Sequence, residues 1–221
     1  MARKRRGRPL VWVGVAMMLA GLCVIGYIGW ELWGTTWVSK REQRSIVEST
    51  ERSWGQGSVS SHDDDVASDV VALIRIPAFG DDYVVPAAEG TGDDVLARGF
   101  GIFESSPAPG GVGNFAMTGH RITHGEPLRH MPDLDAGDEV LVETRDAVYT
   151  YVLDTDGDAL TVDDDAGWVV APDPVDPDTG TAVSTTAGSK RLLTLVTCAE
   201  LFHTDERLVA FGHLVSKRPI D

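Results

Sequence analysis

The chain has 221 residues, of which 43% are hydrophobic and 24% are charged, and this composition excludes an intrinsically disordered protein. Its formal net charge is -15, and an acidic surface repels phosphate groups, which argues against broad nucleic-acid binding. The two cysteines, Cys23 and Cys198, form no Cys-x-x-Cys pair, so a zinc ribbon and a thioredoxin-like motif are excluded.

The amino-terminal segment combines a basic cluster with a long uncharged stretch. Basic residues crowd positions 1–8, and no charge occurs from Pro9 to Trp30. As a helix this stretch would measure about 33 Å, enough for a bilayer core that needs about 20 residues. A cleaved signal peptide would have a shorter apolar stretch and a small-x-small cleavage site. We therefore predict a cytoplasmic tail at 1–8 and a single-pass cell-membrane anchor at 9–33, with the rest of the chain extracellular.

A stalk and a linker are predicted to follow the anchor, over residues 34–68. The stretch up to about Trp54 carries few helix breakers and can continue as a helical stalk, whereas residues 55–65 are polar and rich in Gly, Ser and Asp. The folded domain is then predicted to cover residues 69–221. Because Cys23 would lie in lipid and Cys198 outside the membrane, the two thiols cannot pair.

Within residues 69–221 the hydrophobic pattern is typical of β-strands. Apolar β-branched or alternating runs occur at Val70–Pro77, Glu139–Thr144, Ala147–Leu153, Lys190–Cys198 and Arg207–Val215. Short helices are predicted within 93–102 and 127–134. Five or more strands with short helices between them predict a mainly β domain, built as a small closed or half-closed barrel. The loop 173–189, rich in Asp, Pro, Thr and Gly, is long enough to be functional or mobile, and we consider it a candidate lid.

Three residues that stand at predicted strand edges could together perform acyl transfer. Cys198 ends an apolar strand, His120 follows a Gly at the end of another, and Arg207 opens the last strand. A lone cysteine is often only a buried thiol, since free cysteines are among the most buried residues. A thiol nucleophile, however, needs a histidine to exchange protons and a donor for the oxyanion, and Arg is a permanently charged donor.

The sequence blocks around these three residues resemble the sortases, the membrane-anchored cysteine transpeptidases of Gram-positive surfaces. TLVTC, at 194–198, is similar to the sortase signature, GNFAMTGHR at 113–121 to the sortase His block, and DERLVAFG at 205–212 to the Arg strand. The resemblance covers about Val70 to Val215 and implies an eight-stranded β-barrel with short helices. The three blocks have the order and spacing found in the family.

Two further stretches resemble class E sortases, which are common in high-GC Gram-positive bacteria. They are PAFGDDYVVPAAEGTGDDVLARGFG and VETRDAVYTYVL. The chain departs from class E at Val196, where Thr is usual, and at Glu200, where Pro is frequent. We expect these departures to affect the loop after Cys198 and the preference for substrate.

The resemblance implies a role for each matching residue. Cys198 would attack the Thr–Gly bond of an LPXTG-like or LAXTG-like sorting signal and form a thioester. His120 would exchange protons with the leaving and incoming amines, and Arg207 would hold the substrate backbone and the oxyanion. Three neighbouring residues would line the substrate pocket, namely Thr118, Val196 and Thr197.

The implied partners are secreted proteins with C-terminal sorting signals, together with an amine acceptor from a peptidoglycan precursor or a pilin. One alternative is a pilin polymerase that uses a Lys acceptor. A non-enzyme alternative is an anchored module that only binds peptides, which the presence of all three residues argues against. A wall transpeptidase of the L,D type would have a Ser-x-Gly-Cys context that this chain lacks.

No cofactor or metal is predicted. His124 follows His120 by four residues, but that spacing does not converge on a metal in a strand-turn context. Four acids occupy positions 1, 3, 5 and 12 of an EF-hand-like pattern, namely Asp154, Asp156, Asp158 and Asp165. Position 6 is Ala159 rather than Gly and the flanks are strands, so only a weak calcium site is conceivable there.

Overall fold

The computed structural model describes residues 8–30, 35–56, 69–180, 189–199 and 205–220. Two helices, α1 (Arg8–Gly29) and α2 (Thr35–Gln56), precede the β domain, and a short helix, α3 (Asp93–Leu96), lies within it. In the described part of the chain, no helix is both long enough and apolar enough to cross a membrane.

Nine strands of the described residues form one sheet: β1 (Val70–Arg75), β2 (Val85–Glu89), β3 (Phe100–Ile102), β4 (Gly113–Thr118), β5 (Glu139–Glu143), β6 (Ala147–Leu153), β7 (Leu160–Asp163), β8 (Arg191–Cys198) and β9 (Glu206–Pro219). Single turns of 3-10 helix occur at Pro77–Phe79, Met131–Asp133 and Gly167–Val170.

Eight of these strands close into a barrel. The strand order is β6-β5-β1-β2-β3-β4-β8-β9, and β6 pairs with β9 to complete the ring. The long strand β9 makes this possible because its first part pairs with β8 and its last part with β6. β7 lies outside the ring and pairs with the start of β9. The predicted eight-stranded barrel is therefore confirmed.

The barrel interior is filled by alternating residues of the strands. In β5, Val140 and Val142 are fully buried while their neighbours along the strand are more exposed. Tyr151 of β6 is also fully buried, its ring stacks on Phe115, and its hydroxyl accepts a hydrogen bond of 2.7 Å from the Gly110 amide. Each such large apolar side chain contributes about 1.5–3 kcal/mol when it leaves water.

The predicted helix within 93–102 ends early, and β3 follows it. Gly99 marks the boundary, because a β-carbon there would collide with the carbonyl of Pro86. This close approach allows β3 to pair with β2 in parallel, Ala87 opposite Phe100.

Helix α2, within the predicted stalk, packs on the barrel. Ile46 and Val47 are each only 5% exposed, and Arg75 of β1 forms an ion pair with Glu51 at 2.9 Å. One face of α2 is thus buried against the β domain. The predicted domain boundaries at 8, 33 and 68 stay predictions.

Candidate active site

Cys198 is the last residue of β8, and it lies directly opposite Arg207 of β9 in the antiparallel register. Residues 192–197 are buried, whereas Cys198 is half-buried. The apolar strand therefore fixes the backbone of Cys198 while its thiol remains accessible from outside.

His120 reaches the same position from the other side of β8. Strands β4 and β8 run parallel with Thr118 opposite Val196, and both chains continue for two residues to His120 and Cys198. The amide of Gly119 donates to the Val196 carbonyl at 3.3 Å, which extends the pairing past the end of β4. Adjacent strands lie about 4.8 Å apart. Hence His120, Cys198 and Arg207 occupy neighbouring strand ends.

All three side chains belong to the outer face of the barrel. Residues two apart share a face of a strand, and Val196 packs outside the barrel against Val169. On the same face, Asn114 of β4 donates two hydrogen bonds of 3.0 Å to the carbonyls of Val169 and Ala171. The 3-10 turn Gly167–Val170 therefore covers this face below the three residues.

Burial lowers the pKa of the His120 imidazole below its usual value of 6.5. The neighbouring His124 lowers this pKa further, and the carboxylate of Asp93 at the start of α3 opposes the shift. His120 is consequently neutral at pH 7, so it can accept a proton from the thiol of Cys198.

The guanidinium of Arg207 contacts Glu206 and Asp164 in this structure. Its Nη1 donates to the Glu206 carbonyl at 3.0 Å, and its Nη2 lies 3.8 Å from a carboxylate oxygen of Asp164, which follows β7. The Asp164 side chain is 50% exposed. Since exposed ion pairs are worth about 0–1 kcal/mol, Arg207 can leave Asp164 at little cost.

The hydroxyls of Thr118 and Thr197 hydrogen-bond to backbone carbonyls of the neighbouring chain segment, and the substrate-lining role of Thr118, Val196 and Thr197 stays a prediction. The Thr197 side chain is buried, and its hydroxyl donates to the Gly119 carbonyl at 2.8 Å. The hydroxyl of Thr118 donates to the Val196 carbonyl at 3.0 Å, and Val196 itself is 6% exposed. These contacts join the strand ends that carry His120 and Cys198.

Sequence reasoning gave little weight to two residues that the structure places at the site. Arg121 donates from Nη1 to the carbonyls of Cys198, at 3.4 Å, and of Ala199. The ring of His124 stacks on that of His120, with 4.8 Å between their centroids. The sequence signal for these two residues was their position, because Arg121 ends the block that contains His120 and His124 follows it by three residues. From the sequence, His124 is a candidate only for metal binding.

A groove of about 530 Å³ runs along β7, next to Arg207. Its acidic lining comprises Asp163, Asp165, Asp176, Asp178 and Glu206. Residues 176–178 belong to the candidate lid, whose residues 181–188 lie outside the described part of the chain.

Two of the four acids of the EF-hand-like pattern have other partners. The carboxylate of Asp154 lies 2.9 Å from Nδ1 of His213, and an oxygen of Asp156 accepts from the Ala136 amide at 2.8 Å. Among the residues that the structure describes, no group of three or more His, Cys, Asp or Glu side chains could hold a metal ion. The weak calcium site and the absence of a cofactor both stay predictions.

The sequence of this chain matches known proteins over the barrel. A profile of the Sortase domain matches residues 74–215. Sortase SrtE1 of Streptomyces coelicolor is 30% identical over 215 residues, which cover 94% of this chain and 57% of that protein. The chain thus spans little more than half the length of this relative. Sortase SrtE2 of the same organism is 24% identical and is covered over 88% of its length.

Solved structures show the same fold. Sortase E from Streptomyces avermitilis is 34% identical, with a TM-score of 0.58 over 68% of this chain and 91% of that one. Sortase E1 from S. coelicolor, solved with a tripeptide in its active site, is 30% identical, with a TM-score of 0.56 over the same shares. The chain therefore belongs to the sortase family of cysteine transpeptidases, and it is most like the class E sortases.

Proposed function

We propose that this chain is a cysteine transpeptidase that cleaves a C-terminal sorting signal and transfers the acyl part to an amine. The observation that carries the proposal is the alignment of His120, Cys198 and Arg207 on three adjacent strand ends of one face. A module that only binds peptides would not need an accessible thiol beside a neutral imidazole. The tripeptide in the active site of sortase E1 supports a peptide substrate.

The reaction proceeds through a thioester. The sulfur of Cys198 attacks the carbonyl carbon of the scissile bond while its proton passes to His120. The C–N bond then breaks, and His120 returns that proton to the leaving amine. The incoming amine attacks the thioester and gives a proton to His120, and the C–S bond breaks as that proton returns to sulfur.

Arg207 stabilises the negative charge that develops on the carbonyl oxygen. Its guanidinium leaves Asp164 and approaches the oxygen, where two N–H groups can donate at once. The exposed position of the Asp164 pair makes this movement inexpensive.

The substrate is a secreted protein with an LPXTG-like or LAXTG-like signal, cut between Thr and Gly. The acceptor is a cell-wall amine. A Lys of a pilin is the second candidate, because the same three residues would serve both reactions. The acidic groove beside Arg207 attracts cations, which favours an acceptor with a primary amine over an anionic one.

Sortases are typically associated with membranes, and the single-pass anchor at 9–33, with a cytoplasmic amino terminus and an extracellular catalytic domain, stays a prediction. A reporter enzyme fused after the last residue tests it in intact cells. Activity outside the membrane would support this topology, and activity only after lysis would contradict it.

The proposed activity is tested by incubating the chain with LPXTG and LAXTG peptides, with and without a glycine-based amine. Mass spectrometry should find a peptide that ends at Thr and, with the amine present, a Thr–amine product. Binding of the peptides without either product would favour a peptide-binding module.

A further inference from the structure

The loop that follows His120 has an unusual backbone. His124, Gly125 and Glu126 are consecutive and all left-handed, with φ of 50°, 85° and 55°. A non-glycine residue in this region costs about 1–3 kcal/mol and persists only where its surroundings hold it. Two such residues, one on each side of Gly125, require specific contacts, and those contacts indicate what the loop positions.

Helix α2 supplies part of these contacts. The side-chain amide of Gln43 donates to the carbonyl of His124 at 3.1 Å, and Gln43 is only 5% exposed. A β-carbon on Gly125 would lie 2.5 Å from the Gln43 amide nitrogen, so the loop touches the helix. Glu126, the third left-handed residue, forms ion pairs with Lys40 of α2 at 3.6 Å and with Arg129 at 2.8 Å.

The left-handed backbone of residues 124–126 places the imidazole ring of His124 against His120. His124 stacks on His120 with an interplanar angle of 29° and 4.8 Å between centroids. Its Nδ1 is buried and has no hydrogen-bond partner among the described residues. A buried nitrogen without a hydrogen-bond partner costs about 1–3 kcal/mol. An apolar side chain would fill the same space without this cost, so the imidazole must serve more than packing.

We propose that His124 is a positioning residue for His120, and that Gln43 of α2 holds His124 in place. This inference rests on the proposed function, in which His120 exchanges protons with Cys198. The stacked ring fixes the plane of the His120 imidazole and covers one of its faces. It also disfavours a positive charge on His120, because two protonated imidazoles at this distance would repel each other.

The other charges around His120 balance this effect. Asp93 of α3 acts in the opposite direction to His124 and raises the pKa of His120. Cys198 and Arg207 lie at the ends of β8 and β9, and Arg121 follows His120 in its own loop, with its guanidinium at the Cys198 and Ala199 carbonyls. Among these groups, His124 is the one whose ring lies against that of His120.

Two substitutions at position 124 distinguish the effect of the flat ring from the effect of its nitrogens. His124→Phe keeps a flat ring but cannot carry charge, whereas His124→Ala removes the ring and admits water. We expect the acid limb of kcat/KM to move to higher pH in the Phe variant and further in the Ala variant, because each raises the pKa of His120. Loss of the ring should also lower kcat by about 10- to 100-fold, as small misplacements of a catalytic group do.

Gln43→Leu tests the contact with the helix. It should move the acid limb in the same direction as His124→Phe, since the His124 carbonyl loses its donor. His130→Gln is the matched control, because His130 is exposed, pairs with Asp133 at 2.9 Å, and should leave the profile unchanged. A substitution that merely destabilised the fold would lower activity at every pH and leave the limb where it is.

A second readout does not depend on activity. The full chain, labelled at the histidine ring carbons, is titrated by NMR, and the signal of His120 is identified by its loss in His120→Gln. A higher pKa of His120 in the Phe and Ala variants supports the inference. An unchanged pKa and an unchanged acid limb in all three variants would overturn it, even if the peptides are still cleaved. Absence of cleavage in the parent chain would instead contradict the proposed function.

Discussion

Cys198 and Arg207 are direct cross-strand partners at the end of β8 and the start of β9. Opposed residues of an antiparallel pair have Cα atoms about 4.5–5.5 Å apart. The side chains of Cys198 and Arg207 therefore start from adjacent positions on the same face of the sheet.

The first prediction concerns Arg207→Lys. Lys keeps the charge but lacks the two parallel N–H donors. If Arg207 acts on the oxyanion, kcat should fall by about 10²–10³, which corresponds to about 2.7–4 kcal/mol, with a smaller change in KM. Steady-state kinetics with an LAXTG peptide and a glycine-based amine measures both constants.

The alternative for Arg207 is a surface role in the ion pair with Asp164. In that case the kcat of Arg207→Lys would lie within about threefold of that of the parent, since exposed ion pairs contribute little. Asp164→Asn is the matched variant. It should retain or slightly raise kcat because it releases the guanidinium.

The second prediction concerns pH. His120 must be neutral to accept the thiol proton, and burial and His124 lower its pKa below 6.5. The midpoint of the fall in activity at low pH should therefore lie below 6.5. Asp93→Asn removes the group that raises this pKa, so the decline should begin at still lower pH. A shift of the acid limb to higher pH in Asp93→Asn would contradict the assignment.

The same titration affects stability. The folded state holds His120 neutral, whereas the unfolded chain protonates it at its ordinary value, so His120 favours unfolding as pH falls below 6.5. Replacing His120 by Gln should remove this contribution. Urea unfolding of both proteins at pH 5.5 and 7.5 checks the difference.

The third prediction concerns Thr197. Thr197→Val keeps the shape of the side chain but removes the donor to the Gly119 carbonyl. The free energy of unfolding should fall by about 1–3 kcal/mol, the cost of a buried carbonyl left without its partner. Because Gly119 precedes His120, kcat should fall more than KM rises. Thr197→Ser, which keeps the hydroxyl, should recover most of both losses.

Much of this fold could be predicted from hydrophobic pattern. The runs that became β1, β5, β6, β8 and β9 are apolar or alternating, as strands with one buried face must be. β2, β3 and β7 have no such signal, because β2 contains Pro86, β3 has three residues, and β7 lies in an acidic stretch outside the barrel. β2 and β3 form through pairing with the strands next to them in the sequence, whereas β7 pairs with the distant strand β9.

The active site likewise contains residues that could be predicted from the sequence and contacts that could not. His120, Cys198 and Arg207 could be placed at strand edges, since each ends or opens a predicted strand. The contact between Gln43 and His124 could not be predicted, because it joins residues 81 positions apart. It is a hydrogen bond from a side-chain amide to a backbone carbonyl, and such a bond leaves no pattern in the sequence. The left-handed conformation of His124 and Glu126 likewise depends on contacts with α2, whose sequence predicted only a helical stalk.

The fourth prediction concerns metal ions. The carboxylate of Asp154 already pairs with His213, and that of Asp156 accepts from the Ala136 amide, so calcium would have to displace both contacts. Rates of peptide cleavage in a chelator and in millimolar calcium should agree within about twofold, because these contacts already occupy Asp154 and Asp156. A calcium-dependent rise that Asp156→Asn abolishes would establish the weak site of the EF-hand-like pattern.

The central claim is that Cys198 forms a thioester with the sorting signal. The most direct measurement is intact-mass and peptide-mapping mass spectrometry of the full chain, mixed with an LAXTG peptide and quenched in acid before transfer. We expect a mass increase equal to the peptide up to Thr, located on Cys198 and absent from Cys198→Ala, which should fold like the parent. Cleavage that continues undiminished in Cys198→Ala, or an adduct on Cys23 instead, would contradict the account.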